Sequence, residues 1–377
     1  MENPFSIRGY GGKALFCDRE KELEILLQNV RNKADTTLIS HRRMGKTGLI
    51  MRLFEELKDC QDNLTPIYVD IYASRNLADF IRMLTETVMK TYPESTIFGK
   101  KFLNFIKSFR PVVSFDPITG SPEVTITYQN EWDKERTLKG IFQFLEEQEK
   151  RIVLAIDEFQ QIREYPEKNT EAILRTYIQG MRNVTFIFCG SKKHMMIDIF
   201  SNANNPFYAS THFLNLGPIS MDSYHDFIIR LFEENGRNIS EDAVDFILKW
   251  TRRHTFYTQS LCHLVFAMGK MNIEIPDVEK ACGEILSANE AVYLQYRQLL
   301  TPAQWNYLIA VPKENEVRQI TAAAFLKRYN IGSASSSRRL LASLLDKEML
   351  IEDIALSGTT YRLYDVFMMR WMENVER

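Results

Sequence analysis

The stretch Thr36-Thr37-Leu38-Ile39-Ser40-His41-Arg42-Arg43-Met44-Gly45-Lys46-Thr47-Gly48 decides how this chain folds. Thr36 to Ile39 is a short apolar run that ends at a polar loop. After the loop, residues 47–58 (TGLIMRLFEELK) place apolar side chains at helical spacing. Strand, polar loop and helix, with Gly-Lys-Thr at the end of the loop, match the context of a phosphate-binding loop. Each residue type has a chemical reason. Gly45 lets the backbone curl so that successive N–H groups face an anion. Lys46 sets an ammonium against terminal phosphates, and Thr47 offers a hydroxyl to Mg²⁺. The helix that follows turns its positive end toward the same anions. One position departs from the template, because Ser40 stands where the first glycine belongs. A positive φ there would cost energy.

A second signal lies downstream. Ile152-Val153-Leu154-Ala155-Ile156 is a continuous apolar run of the fully buried kind, and it ends in Asp157-Glu158. A buried strand carries its last residue to the sheet edge, so Asp157 is expected beside the phosphate loop, holding Mg²⁺ directly or through water. Glu158 is expected to orient and polarise an attacking water. Another buried run, Val184 to Cys189, leads into Gly190-Ser191. Ser191 is the candidate for sensing a terminal phosphate.

Composition narrows the rest. The 377 residues predict two or three domains. Apolar residues at 45% and charged residues at 25% describe an ordinary folded chain, which excludes disordered, collagen-like and disulfide-stapled classes. With 47 basic and 49 acidic side chains the net charge is −2, so any nucleic-acid binding must come from a local patch. The five cysteines (Cys17, Cys60, Cys189, Cys262, Cys282) are scattered, which fits reduced thiols, a cytoplasmic location and no structural zinc. No run reaches the roughly 20 apolar residues of a membrane span, and the N-terminus has no signal-peptide core.

Along the chain, residues 15–33 read as a helix with Asp18 at the N-cap position, and 65–72 as a strand. Helices are expected at 77–92, 137–149 and 170–181, with a hairpin inserted at about 110–130. Alternating strands and helices imply an α/β fold with a parallel sheet covered on both faces. From Gly217-Pro218 the patterns become helical, with Ser220 as the cap of the first helix. Residues 302–345 give three short helices, followed by alternation over 349–365 around Ser357-Gly358, the order of a winged helix.

These residues resemble the archaeal-type ATPase family, a branch of the AAA+/STAND class of P-loop NTPases. The resemblance rests on Phe16-Cys17-Asp18-Arg19-Glu20, Arg42 to Thr47, Leu154 to Gln160 and Phe188 to Ser191. It implies a P-loop core over 1–217, an all-helical lid over 218–288 and a winged helix over 289–377, with Mg-ATP held between core and lid. It also implies that Ser40, His41, Arg42, Arg43, Met44, Gly45, Lys46, Thr47 and Gly48 line the nucleotide, with Phe16 and Arg19 near the adenine. Lys46, Glu158 and Ser191 would be catalytic, and Thr47 and Asp157 would hold the metal. The chain departs from the family at Ser40 and Asp18, where glycine is usual, and at Arg253-His254-Thr255, where a Gly-His-Pro-like turn is common. Pro206-Phe207-Tyr208-Ala209-Ser210 lacks the arginine of a Pro-Leu-Tyr-Gly-Arg segment, so turnover is expected to be slow or partner-dependent.

Residues 318–345 carry Arg318, Lys327, Arg328, Arg338 and Arg339 and no acid. Arg338 and Arg339 near the start of the third helix are candidate contacts to double-stranded DNA. The leading expectation is an ATP-driven switch that moves the winged helix. The alternative is a non-hydrolysing, ATP-bound scaffold or DNA-binding regulator. A separate effector protein and a homo-oligomer are further candidate partners, and no membrane is expected.

Overall fold

The computed structural model describes residues 3–59, 64–107, 112–115, 122–125, 128, 131–314, 317–355 and 358–375. Its contacts divide the chain into two compact units. One is Arg8–Pro218, and the other is Met1–Ile7 with Ile219–Arg377.

The first unit is a five-stranded sheet with helices on both faces. Its elements in order are α1 (Glu20–Arg31), β1 (Thr36–Ile39), α2 (Lys46–Asp59), β2 (Leu64–Asp70), α3 (Leu77–Thr91), α4 (Ile97–Lys107), β3 (Val112–Phe115), β4 (Pro122–Thr125), α5 (Glu131–Glu146), β5 (Arg151–Asp157), α6 (Thr170–Ile178), β6 (Val184–Gly190), α7 (Lys193–Ser201) and β7 (His212–Asn215). The sheet order is β2-β5-β6-β1-β7, and every neighbouring pair is parallel. The run from Ile152 to Ile156 is fully buried because both sheet faces are covered. Ile152, Leu154 and Ile156 enter one core with Val69, Phe80 and Phe188. Val153 and Ala155 enter the other with Leu26, Leu38, Leu53 and Cys189. This is the period-two alternation of a strand expressed on two apolar sides.

The inserted hairpin is present as β3 paired antiparallel with β4. Its expected Asp-Pro-Gly turn at 116–120 lies outside the described residues. Three core elements have no counterpart in the sequence reading, namely α4, α7 and β7. β7 is an edge strand with only Leu214 buried, too short and too polar to stand out. The start of α1 is a correction. Asp18 does not cap the helix; Arg19 occupies the N-cap position, and both residues are left-handed at φ 58° and 79°. A side-chain cap needs extended backbone at that point, which a left-handed pair cannot give.

The second unit contains α8 (Met221–Glu234), β8 (Asn238–Ile239), α9 (Glu241–Trp250), α10 (Thr255–Ala267), β9 (Asn272–Ile273), α11 (Ile275–Leu299), α12 (Pro302–Lys313), α13 (Ala323–Arg328), α14 (Ala334–Asp346), β10 (Leu350–Ala355), β11 (Gly358–Leu363) and α15 (Val366–Val375). Ser220 caps α8 by accepting from Ser223 N at 3.1 Å. α11 runs unbroken across 288–289, where the sequence reading set a boundary. The paired dipeptides β8 and β9 interrupt an otherwise helical region and are too short to leave a pattern. Phe5 is buried here against Phe232 and Phe266, and the Phe5 carbonyl meets His263 Nδ1 at 2.8 Å. Thus the first residues belong with these helices, although Arg8 onward belongs to the sheet.

In the C-terminal part, Trp305, Tyr307, Phe325 and Trp371 are core residues. β10 and β11 form the antiparallel wing, and Val317 bridges to Tyr361 as a third strand position. Ser357 of the expected wing turn lies outside the described residues.

Candidate nucleotide site

β1 delivers Ser40 to the loop, and α2 begins at Lys46. The conformational demand of the loop does not fall on Ser40. Its left-handed positions are Arg43 at φ 61° and Gly45 at φ 96°. Ser40 is fully buried, its N–H reaches Gly190 O at 3.4 Å, and its hydroxyl donates to His41 O at 2.9 Å. The substitution of serine for glycine therefore carries no φ penalty. Positive φ at alternate positions around Met44 curls the backbone into a concavity of the kind that receives anions.

Lys46 is 6% exposed, and no carboxylate among the described residues lies within ion-pair distance of it. A buried ammonium needs an anion, and a phosphate supplies one. Arg42 lies over the exposed Tyr72 ring at 5.7 Å. Phe16 packs against Gly48; a β-carbon there would stand 3.3 Å from the ring, so glycine admits the aromatic to the first turn of α2. Tyr10 meets Phe16 edge-on with centroids 5.8 Å apart, and its hydroxyl donates to Glu55 of α2. Arg19 is committed elsewhere. Its guanidinium donates to Gly217 O at 2.6 Å and to Glu22 at 2.9 Å.

β5 brings Asp157 to the loop, 110 residues away in sequence. Thr47 Oγ1 donates to Asp157 Oδ2 at 3.1 Å, and Tyr68 of β2 donates to the same oxygen at 2.7 Å. The Glu158 N–H takes Asp157 Oδ1 at 2.9 Å. With its hydrogen aimed at Asp157, the Thr47 hydroxyl keeps its lone pairs for a cation. A hydroxyl and a carboxylate are hard oxygen donors that suit Mg²⁺, which takes few protein ligands and completes its shell with phosphate oxygens and water. Burial, and then the neighbouring Asp157 charge, push the Tyr68 hydroxyl well above its ordinary pKa, so it remains a donor. Burial raises the Cys189 thiol in the same way, which leaves it unreactive.

Glu158 sits at φ 55°, in the left-handed region. Ser191 Oγ donates to its Oε2 at 2.7 Å, and Gln160 Nε2 donates to the same oxygen. Gly190 has no room for a β-carbon, because Gln160 Oε1 and the Met196 side chain fill that space. The sequence-derived residues Lys46, Thr47, Asp157, Glu158 and Ser191 thus gather at the ends of β1, β5 and β6. Sequence reasoning missed Tyr68, and it also missed Asp70, which pairs with Asp157 across β2 and β5. Desolvation, and then Asp157 and Glu158, raise the Asp70 carboxyl. Their signal is the common alternation of 68 and 70, which becomes informative only once β2 is known to neighbour β5.

In the winged helix, Ser333 caps α14, and Ser337 turns inward to Tyr307. Arg338 and Arg339 face outward, and neither is within ion-pair distance of a carboxylate among the described residues. Arg328 is withdrawn from the basic set by Glu314 at 2.5 Å.

A parallel sheet, a curled loop ending in Gly-Lys-Thr and an acidic strand end beside it define a P-loop nucleotide-binding protein. Residues 16–252 match an ATPase domain found predominantly in Archaea, and residues 291–374 match a probable winged helix domain. The chain belongs to that archaeal-type ATPase family. Solved structures show the same fold at low identity. The Walker-type ATPase of Pyrococcus abyssi matches with a TM-score of 0.68 at 17% identity, over 98% of this chain and 99% of that one. The ORC2 protein of Aeropyrum pernix, solved in ADPNP-ADP complexes, gives 0.58 at 14%, over 99% and 96%. The ORC1 protein of the same organism, solved with DNA, gives 0.52 at 12%, over 96% and 94%. No curated protein matches the sequence. Among the described residues no helix is long and apolar enough to cross a membrane.

Proposed function

We propose that the protein binds ATP with Mg²⁺ at the loop from Ser40 to Gly48, hydrolyses it to ADP and phosphate, and uses the cycle to move its C-terminal winged helix. The single observation that carries this reading is the buried Lys46 beside the Thr47–Asp157 hydrogen bond. Loop N–H groups and Lys46 bind the phosphates, and Phe16 offers an apolar face for the base beside Gly48. Thr47 and Asp157 would hold Mg²⁺, which when bound supplies charge neutralisation at the phosphate oxygens. Glu158 accepts a proton from, or orients, the attacking water. Ser191 lies within reach of the same carboxylate and couples it to the phosphate end of the site.

The Glu158 carboxylate is held by Ser191 and Gln160, which favours slow turnover until those bonds are exchanged. That supports the second reading, a long-lived ATP-bound regulator that acts through a DNA-contacting winged helix. Phosphate release by wild type and Glu158→Gln, each with and without duplex DNA, tests both. The first reading expects Glu158→Gln to keep ATP affinity and to lose about 100-fold or more in rate. Equal rates in the two proteins would remove Glu158 from its role, and a wild type without measurable turnover would leave the regulator reading.

A further inference from the structure

We propose that Tyr68 is a positioning residue for the cation site, holding the Asp157 carboxylate in the orientation that receives Mg²⁺. The inference rests on the nucleotide-binding reading above. β2 and β5 pair in parallel, with Tyr68 opposite Ala155 and Asp70 opposite Asp157. Asp157 therefore lies two residues farther along the sheet than Tyr68, about 6.6 Å of strand rise. A tyrosine spans that distance, whereas serine or threonine does not. Its ring packs against the core that contains Leu38, Ala155 and Ile187, so the hydroxyl is delivered by a fixed lever. At the far end it donates to Asp157 Oδ2 at 2.7 Å, a closer bond than the 3.1 Å one from Thr47. With Glu158 N on Oδ1, the carboxylate is pinned at both oxygens.

Thr47 serves two partners, because its hydroxyl must face the cation while it bonds Asp157. Tyr68 lies beside Thr47 as well at that end, but its bond to Asp157 Oδ2 is the shorter of the two. Without its hydroxyl, Oδ2 keeps only the longer Thr47 bond, and the carboxylate gains freedom to turn. Loss of an outer partner of this kind typically weakens metal affinity 10- to 100-fold.

The test is a calorimetric titration of the full-length protein with ADP over a series of Mg²⁺ concentrations and in EDTA. Tyr68→Phe keeps the ring and removes the hydroxyl. It should raise the Mg²⁺ concentration for half-maximal tightening of ADP by about 10-fold, with the affinity in EDTA unchanged within about twofold. Tyr68→Leu removes the ring as well; it should give the same Mg²⁺ shift and, in addition, a lower unfolding midpoint. A Tyr68→Phe protein with the wild-type Mg²⁺ requirement would overturn the assignment while leaving the nucleotide site intact. A wild type whose ADP affinity ignores Mg²⁺ would overturn the underlying reading of Thr47 and Asp157 as well.

Discussion

Ser191 Oγ donates to Glu158 Oε2 at 2.7 Å, which ties together the ends of the neighbouring strands β6 and β5. Gln160 donates to the same oxygen, so the carboxylate that should activate water is occupied twice. One such bond contributes about 1 kcal/mol, or about 1.5–3 kcal/mol with a charged acceptor. Gln160→Leu removes one of them and keeps the buried volume. Basal phosphate release should rise by a few-fold, up to about tenfold, with ATP affinity unchanged. A lower rate would mean that Gln160 assists Glu158 instead of restraining it.

The loop places its left-handed residues at Arg43 and Gly45, and Ser40 has no such demand. Ser40→Gly should therefore leave ATP affinity within about twofold of wild type. Gly45→Ala imposes a side chain at φ 96°, a strain of about 1–2 kcal/mol, and should weaken ATP binding about tenfold or more. Equilibrium binding of a fluorescent ATP analogue separates the two. A clear gain from Ser40→Gly would place the strain at Ser40 after all.

Asp35, just before β1, is raised to about 6, first by burial and against the Phe186 N–H that donates to it at 2.8 Å. Because the folded pKa lies above the unfolded value, the folded state binds the extra proton between about pH 4 and pH 6. The stability this group contributes is full below about pH 4 and is lost as pH rises through 6. Asp35→Asn keeps an acceptor for Phe186 N–H and removes the charge. Its stability relative to wild type should grow by about 1–2 kcal/mol between pH 4 and pH 7. Denaturant unfolding at the two pH values measures it, and a difference that does not change with pH would contradict the assignment.

Much of the core was legible because its strands are buried on both sides. Ile152 to Ile156 and Val184 to Cys189 read as continuous apolar runs, and each carries a polar residue of the site to its end. β7 was not legible: in His212–Asn215 one side chain alone is buried. The residues around the loop could be named from chemistry, but their commitments could not. The resemblance implies Arg19 near the adenine, but residue type does not reveal that its guanidinium donates to Gly217 O and Glu22. Tyr68 was hidden because its partner sits on a different strand, and strand order is a property of the whole fold. Asp18 looked like a helix cap, since residue type alone does not reveal a left-handed backbone.

Arg338 and Arg339 lie on the exposed side of α14, while Ser337 is buried on the other. If they meet phosphates of duplex DNA, the double variant Arg338→Ala/Arg339→Ala should weaken binding on all sequences alike. The slope of log affinity against log salt should fall by about 2, near 0.9 for each lost contact. An unchanged slope would assign this face to another partner. Arg328→Ala should have little effect, because Glu314 already neutralises that guanidinium.

Lys46 is the cation proposed to meet the phosphates. The most direct test of that role is ATP binding by calorimetry, paired with steady-state phosphate release, for wild type and Lys46→Ala. Wild type should bind ATP and release phosphate, and the variant should lose both. A Lys46→Ala protein that binds ATP as tightly as wild type would show that Lys46 does not meet the phosphates.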